Sequence, residues 1–88
     1  MERSETSLDI SGVFSKALDL IDSRESMYGF RWREEPISQL YENVFRKADG
    51  VKFSVVRNHK GESSDILENL LDLINYTAFV FRRVSDSL

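Results

Sequence analysis

The sequence contains no cysteine and only one histidine, His59. Without cysteine the chain has no disulfide framework, no thiolate zinc site and no cysteine nucleophile. A single histidine excludes a histidine-rich metal site, and we expect His59 to lie in a surface turn. The absence of thiols suits a reducing compartment, so we predict a cytoplasmic protein.

Long apolar runs and an excess of positive charge are also missing. No run approaches the ~18 apolar residues of a membrane span, and the N-terminal residues do not resemble a signal peptide. We therefore expect no membrane partner. The net charge of −3 argues against general nucleic-acid binding. With 88 residues the chain is predicted to form one domain, residues 1–88, with a core at about 7–84 and flexible termini.

What the sequence does contain is apolar residues at three- and four-residue intervals in three segments, which predicts an all-α fold of three helices. The first helix is expected to begin at Thr6, where Thr-x-x-Asp fits a cap, and to fade near Ser26. The second is expected to begin around Pro36, a favourable first-turn residue, and to run to about Arg57. The third is expected over residues 64–84.

The third helix has a broad apolar face, which we expect to be buried. Its members are Leu67, Leu70, Leu71, Ile74, Ala78 and Phe81. This is more apolar surface than two partner helices of one chain can cover. We therefore predict that the domain is completed by homo-oligomerisation, as a dimer or larger, into a helical bundle.

The opposite side of the third helix carries an acidic stripe that becomes aromatic toward its C-terminal end. The stripe consists of Asp65, Glu68, Asp72, Asn75, Tyr76 and Phe79. Carboxylates three and four residues apart project side by side, so Asp65, Glu68 and Asp72 are candidate ligands of Mg²⁺. Alternatively, Asp65 and Glu68 are ordinary capping residues of a first turn, and Asp72 faces solvent or pairs with an arginine of a neighbouring helix.

Aromatic and basic residues are concentrated between the first two helices, in an ordered loop predicted over residues 27–36. Its segment Tyr28–Arg33 contains three aromatic residues and two arginines. Aromatic rings can stack on a base, and arginines can bind phosphates bidentately. Alternatively, Phe30 and Trp32 plug the open end of the three-helix core, and the arginines pair with Glu34 and Glu35.

Together these elements resemble a phage and bacterial family, the nucleotide-modification-associated domain of the first type. That family is similar to the all-α nucleotide pyrophosphatases of the MazG and dimeric dUTPase group. The resemblance covers about residues 15–82. The matching residues are Arg24, Tyr28-Gly29, Trp32-Arg33, Lys47, Glu68 and Leu71-Asp72-Leu73 followed by Asn75-Tyr76.

The sequence departs from the family pattern at several positions. Met27 replaces an acid, and Arg31 replaces a small residue. The second helix lacks the Glu-x-x-Glu pair of the pyrophosphatases and offers only Glu42 and Asp49. A two-metal site is therefore incomplete within one chain, unless a second copy contributes acids.

The resemblance implies a phage-type nucleotide-binding protein, in the host cytoplasm if a phage encodes it. It could be a Mg²⁺-dependent (deoxy)nucleotide pyrophosphohydrolase of nucleotide metabolism or DNA modification. Glu68 and Asp72 would then be catalytic, with Asp65 as a third metal ligand. The expected nucleotide-binding residues are Arg24, Tyr28, Trp32, Arg33, Lys47, Asn75 and Tyr76.

Two alternatives to hydrolysis remain open. One is a non-catalytic protein that sequesters a nucleotide or a signalling nucleotide. The other is a small helical module that binds or inhibits a host protein, with the stripe from Tyr76 to Phe79 as its interface. Because the sequence supports all three interpretations, we make no prediction on whether the chain is an enzyme.

Overall fold

The computed structural model describes residues 2–24, 31–57 and 64–88, and within them every regular element is an α-helix. Three helices are long: α1 spans Glu5–Ser23, α3 spans Ile37–Arg57 and α4 spans Ser64–Ser87. A single helical turn, α2, spans Arg31–Glu34. The prediction of a small all-α domain is confirmed.

The ends of the helices differ from prediction at three places. The cap of α1 is Ser4, whose Oγ accepts a hydrogen bond from the Ser7 N–H at 3.1 Å; Thr6 lies inside the helix. α1 ends at Ser23, before the predicted Ser26. α4 continues past residue 84 to Ser87, so the C-terminal residues are helical and the predicted end was too early.

The prediction of a loop over residues 27–36 is wrong for residues 31–34, which form α2. The loop prediction for residues 27–30, including Tyr28, lies outside the described residues, as does the predicted turn at His59. The start of α3 next to Pro36 is confirmed, since the Pro36 carbonyl accepts hydrogen bonds from the N–H groups of Gln39 and Leu40 at 2.9 and 3.3 Å.

The interior of the described chain is small and unusually polar. α4 packs against each of the other three helices. Only three hydrophobic residues of the described part are buried, Ala17, Leu40 and Ile66, beside four buried polar residues, Asn43, Ser54, Asp72 and Asn75. Specific polar contacts therefore join these helices alongside the apolar ones.

Two hydrogen bonds show how polar residues connect the helices. The Asn75 Nδ2 group on α4 donates to the Ala17 carbonyl on α1 at 3.0 Å. The small side chain of Ala17, 2% exposed, lets the two backbones approach closely enough for that bond. The Asn69 Nδ2 group donates to Ser54 Oγ on α3 at 2.9 Å. Each amide thus fixes α4 against one neighbour.

The expectation that the apolar face of α4 is buried is wrong for the single chain. Leu67 is 65% exposed and Phe81 is 73% exposed, whereas Asp72 on the opposite stripe is buried. The stripe contains the partners that the other helices need, namely carboxylates for their cations and one amide, Asn75, for the Ala17 carbonyl. These directional contacts turn the part of the stripe from Asp72 to Phe79 inward, and the apolar face consequently points outward.

In the part of the chain that the structure describes, no helix is both long and apolar enough to cross a membrane.

Candidate functional site

A group of ion pairs around the buried Asp72 lies where α1 meets α3 and α4, and we call Arg24, Lys47, Glu68 and Asp72 the ion-pair cluster. Arg24 is the C-cap of α1, so the end of that helix aims the guanidinium at α4. Its Nη1 lies 2.9 Å from Asp72 Oδ1, and its Nη2 donates to Glu68 Oε1. Lys47 Nζ, from α3, lies 3.1 Å from Asp72 Oδ2.

The two acids of the ion-pair cluster differ in burial. The Asp72 side chain is 7% exposed and the Glu68 side chain is 55% exposed. Because Asp72 is shielded from water, its attraction to the two cations is screened less than that of an exposed pair. Two cations face two anions, so the cluster as a whole is close to neutral.

The donor set does not fit a Mg²⁺ site in this arrangement. Both oxygens of Asp72 and one of Glu68 accept hydrogen bonds from cations, and these cations compete with Mg²⁺ for the same carboxylates. Asp65, the third predicted ligand, is exposed in the first turn of α4. Within the described residues, no group of three or more histidine, aspartate or glutamate side chains is arranged to hold a metal.

A row of aromatic rings connects α2 to α4. The Trp32 ring stacks on Phe79 with centroids 5.2 Å apart and planes inclined by 11°. Phe79 meets Tyr76 edge to face at 5.9 Å. Lys47 Nζ lies 5.8 Å from the centroid of Tyr76, so the row begins beside the ion-pair cluster. Such ring pairs contribute roughly 0.5–1.5 kcal/mol beyond their buried area, which orders Trp32.

An open cleft of about 360 Å³ runs along this row of rings, between α2, α3 and α4. We call it the aromatic cleft. Its lining combines aromatic rings, two arginines and two amides: Arg31, Trp32, Glu35, Gln39, Leu40, Asn43, Arg46, Tyr76 and Phe79. Its volume lies within the range of small-molecule sites, about 300–1,000 Å³.

The polar wall of the aromatic cleft is ordered by hydrogen bonds on α3. Gln39 Nε2 and Arg46 Nη2 both donate to the Oδ1 of Asn43, at 3.1 and 2.8 Å. Because Asn43 is only 7% exposed, it is a fixed anchor for the longer side chains of Gln39 and Arg46. An arginine has five N–H donors, and one bond to Asn43 leaves Arg46 able to bind an anion.

The structure brings together some of the predicted nucleotide-binding residues and separates others. Trp32 and Tyr76 line the aromatic cleft. Arg24 and Lys47 lie in the ion-pair cluster beside it. Asn75 does not line the cleft and bonds α1 instead.

Arg33 lies on the other side of Trp32, with its guanidinium carbon 5.1 Å from the ring centroid. It lines a smaller cavity of about 230 Å³ with Trp32, Arg82, Arg83 and Asp86. Tyr28 lies outside the described residues.

Reasoning from sequence missed the contribution of α3 to the cleft. Gln39, Asn43 and Arg46 recur at intervals of four and three residues, which places them on one helical face. That spacing was visible, but a polar stripe on a helix ordinarily faces solvent. Only the packing of α2 and α4 beside it makes it one wall of a cleft.

No family model matches the chain, and comparisons with curated proteins and with solved structures found no match either.

Proposed function

We propose that this protein binds a nucleotide, or a nucleotide-derived signalling molecule, in the aromatic cleft and does so without a metal ion. The observation that carries the proposal is the combination, in one cleft of about 360 Å³, of three aromatic rings with Arg31 and Arg46. A planar base needs a flat apolar partner, and a phosphate needs fixed N–H donors. The cleft offers both within one small volume.

The base would stack beside the ordered Trp32–Phe79 pair, where an additional ring is favourable. Base–aromatic stacking contributes about 1–3 kcal/mol per base. The amides of Gln39 and Asn43 line the same space and supply donors and acceptors for a base edge. Glu35, also in the lining, disfavours a phosphate at its own end of the cleft. The phosphate is therefore expected near Arg46.

Binding without hydrolysis is favoured because the carboxylates that a hydrolase would use are already paired. Asp72 bonds Arg24 and Lys47 through its two oxygens. In this role the ion-pair cluster holds α1, α3 and α4 together beneath the ligand. The Mg²⁺-dependent pyrophosphohydrolase that the family resemblance implies would require Asp72 to exchange those partners for the metal.

The test uses the intrinsic fluorescence of Trp32, the only tryptophan of the chain. Emission is titrated with nucleoside mono-, di- and triphosphates and cyclic nucleotides, each with Mg²⁺ and with EDTA. One nucleotide class should quench Trp32 saturably and equally in both buffers. At ~100 times its Kd it should also stabilise the fold by ~2.7 kcal/mol in a thermal unfolding experiment.

Two matched variants locate the site. Arg46→Ala should weaken the nucleotide on the order of tenfold, about 1.4 kcal/mol, because it removes the phosphate-binding group. Lys52→Ala removes a cation from an exposed position of the same helix and should leave affinity unchanged. If no nucleotide gives a saturable change, the proposal fails. Metal-dependent release of phosphate or pyrophosphate would instead support the hydrolase.

A further inference from the structure

A second feature, independent of the nucleotide proposal, is an open apolar groove of about 590 Å³ between α1 and α4. It lies on the opposite side of α4 from the aromatic cleft, since Phe81 and Tyr76 are about 140° apart at ~100° per residue. No lining residue is charged: the lining consists of Val13, Phe14, Leu70, Leu73, Ile74, Thr77, Ala78 and Phe81.

The surface area of the chain shows that such a groove is unusual for a monomer. The accessible surface is 7063 Å² for a mass of 10.2 kDa, about 1,700 Å² more than monomeric proteins of that mass expose. The radius of gyration is 14.6 Å, whereas a domain of this length has about 12 Å. The chain is flat, 25 Å in its shortest dimension. A monomer of this length is usually rounder and exposes less surface.

We propose that the groove between α1 and α4 is the contact surface of a two-fold symmetric dimer, occupied by the same groove of a second copy. A stable interface buries about 800 Å² on each partner, and the excess surface of one chain exceeds that area. A two-fold contact places a patch against itself, so a charged residue close to the axis would meet its own copy. A groove without charged lining residues meets that condition.

Another exposed apolar surface, on α3, fits this contact less well. On α3 the exposed rings of Tyr41 and Phe45 share a face with Val56. Lys52, seven residues after Phe45 and four before Val56, lies on the same face. In a two-fold contact centred there, the two copies of Lys52 would approach each other. The α3 surface therefore provides a matched control for the groove.

Sedimentation equilibrium of the purified chain tests the dimer. The wild-type protein should have twice the 10.2 kDa mass of one chain. Phe81→Glu should halve that mass while preserving the helical circular dichroism and the Trp32 emission. Phe45→Glu, at a side chain of similar exposure, should stay dimeric. A wild-type mass of one chain, or dissociation by Phe45→Glu and not by Phe81→Glu, would overturn the proposal.

A second measurement applies even if Phe81→Glu does not fold. The chain has no cysteine, so a single introduced thiol reports its own exposure. Thr77 in the groove and Ser15 on the outer side of α1 are both exposed in one chain. Thr77→Cys should react with maleimide more slowly than Ser15→Cys. The rate of its reaction should rise on dilution, because the dimer then dissociates and exposes the groove. Equal rates at all concentrations would contradict the dimer.

Discussion

Asp72 has two cationic partners from two different helices, although its side chain is only 7% exposed. A buried carboxylate pays a large desolvation cost, which the attraction to Arg24 and Lys47 and the hydrogen bonds to them must offset. Removing its charge would leave both cations partly buried and without that partner. Asp72 is for this reason the residue whose neutralisation should destabilise the fold most clearly.

We predict that Asp72→Asn lowers the free energy of unfolding by about 2–4 kcal/mol, because breaking a buried ion pair typically costs 3–5 kcal/mol and the amide keeps part of the hydrogen bonding. Urea denaturation followed by circular dichroism would measure the loss. Asp86→Asn is the control, since its pair with Arg82 is exposed and should contribute about 0–1 kcal/mol. Equal losses in both variants would show that Asp72 has no special structural role.

At the level of elements, α2 is too short to be stable by itself, since isolated helices need about 12–15 residues. Arg83 holds it in place from the last turns of α4. Its Nη1 donates to the carbonyls of Trp32 and Glu35, at 2.8 and 2.7 Å. These bonds, together with the Trp32–Phe79 stack, fix the aromatic wall of the cleft.

We predict that Arg83→Met destabilises the fold by about 1.5–3 kcal/mol, because hydrogen bonds from charged donors contribute that much. It should also shift the Trp32 emission and weaken nucleotide binding, although Arg83 does not line the aromatic cleft. Arg82→Met is the matched control, because Arg82 bonds only the exposed Asp86 among the described contacts. An unchanged Trp32 spectrum in Arg83→Met would contradict this role.

The helices form a flat molecule, 25 Å in its shortest dimension. Among the described residues, polar side chains are buried between the helices, and many apolar side chains are exposed. Only three hydrophobic residues of the described part are buried. If a second copy covers the groove between α1 and α4, folding and association are linked. Mass action then makes the apparent stability depend on protein concentration.

We predict that the Tm of the wild-type chain rises with protein concentration, because the dimer is populated and stabilised at higher concentration. Differential scanning calorimetry over a hundredfold range of concentration would measure this. Phe81→Glu should show a lower Tm that does not vary with concentration, and Phe45→Glu should behave like the wild type. A wild-type Tm independent of concentration would count against linkage of folding to assembly.

Much of the fold could be predicted from local pattern. Three- and four-residue spacing identified α1, α3 and α4, because the period of an α-helix is a property of the local backbone. The shared stripe of Asp72, Asn75, Tyr76 and Phe79 followed from the same period. The boundaries were less accurate, since Ser4 and Thr6 are both competent caps and local chemistry does not choose between them.

Which face of each helix points inward depends on contacts between helices. The apolar face of α4 alone suggested burial. Asp72, however, pairs with Arg24 at the end of α1 and with Lys47 on α3. Asn75 bonds Ala17 on α1, and all three partners are far away in sequence. Within one chain, directional ion pairs and hydrogen bonds between distant residues bury Asp72 and Asn75 and leave Leu67 and Phe81 exposed. The same long-range packing brings Arg46 and Trp32 into the lining of one cleft. Periodicity could not reveal that cleft, because it describes single helices and not their neighbours.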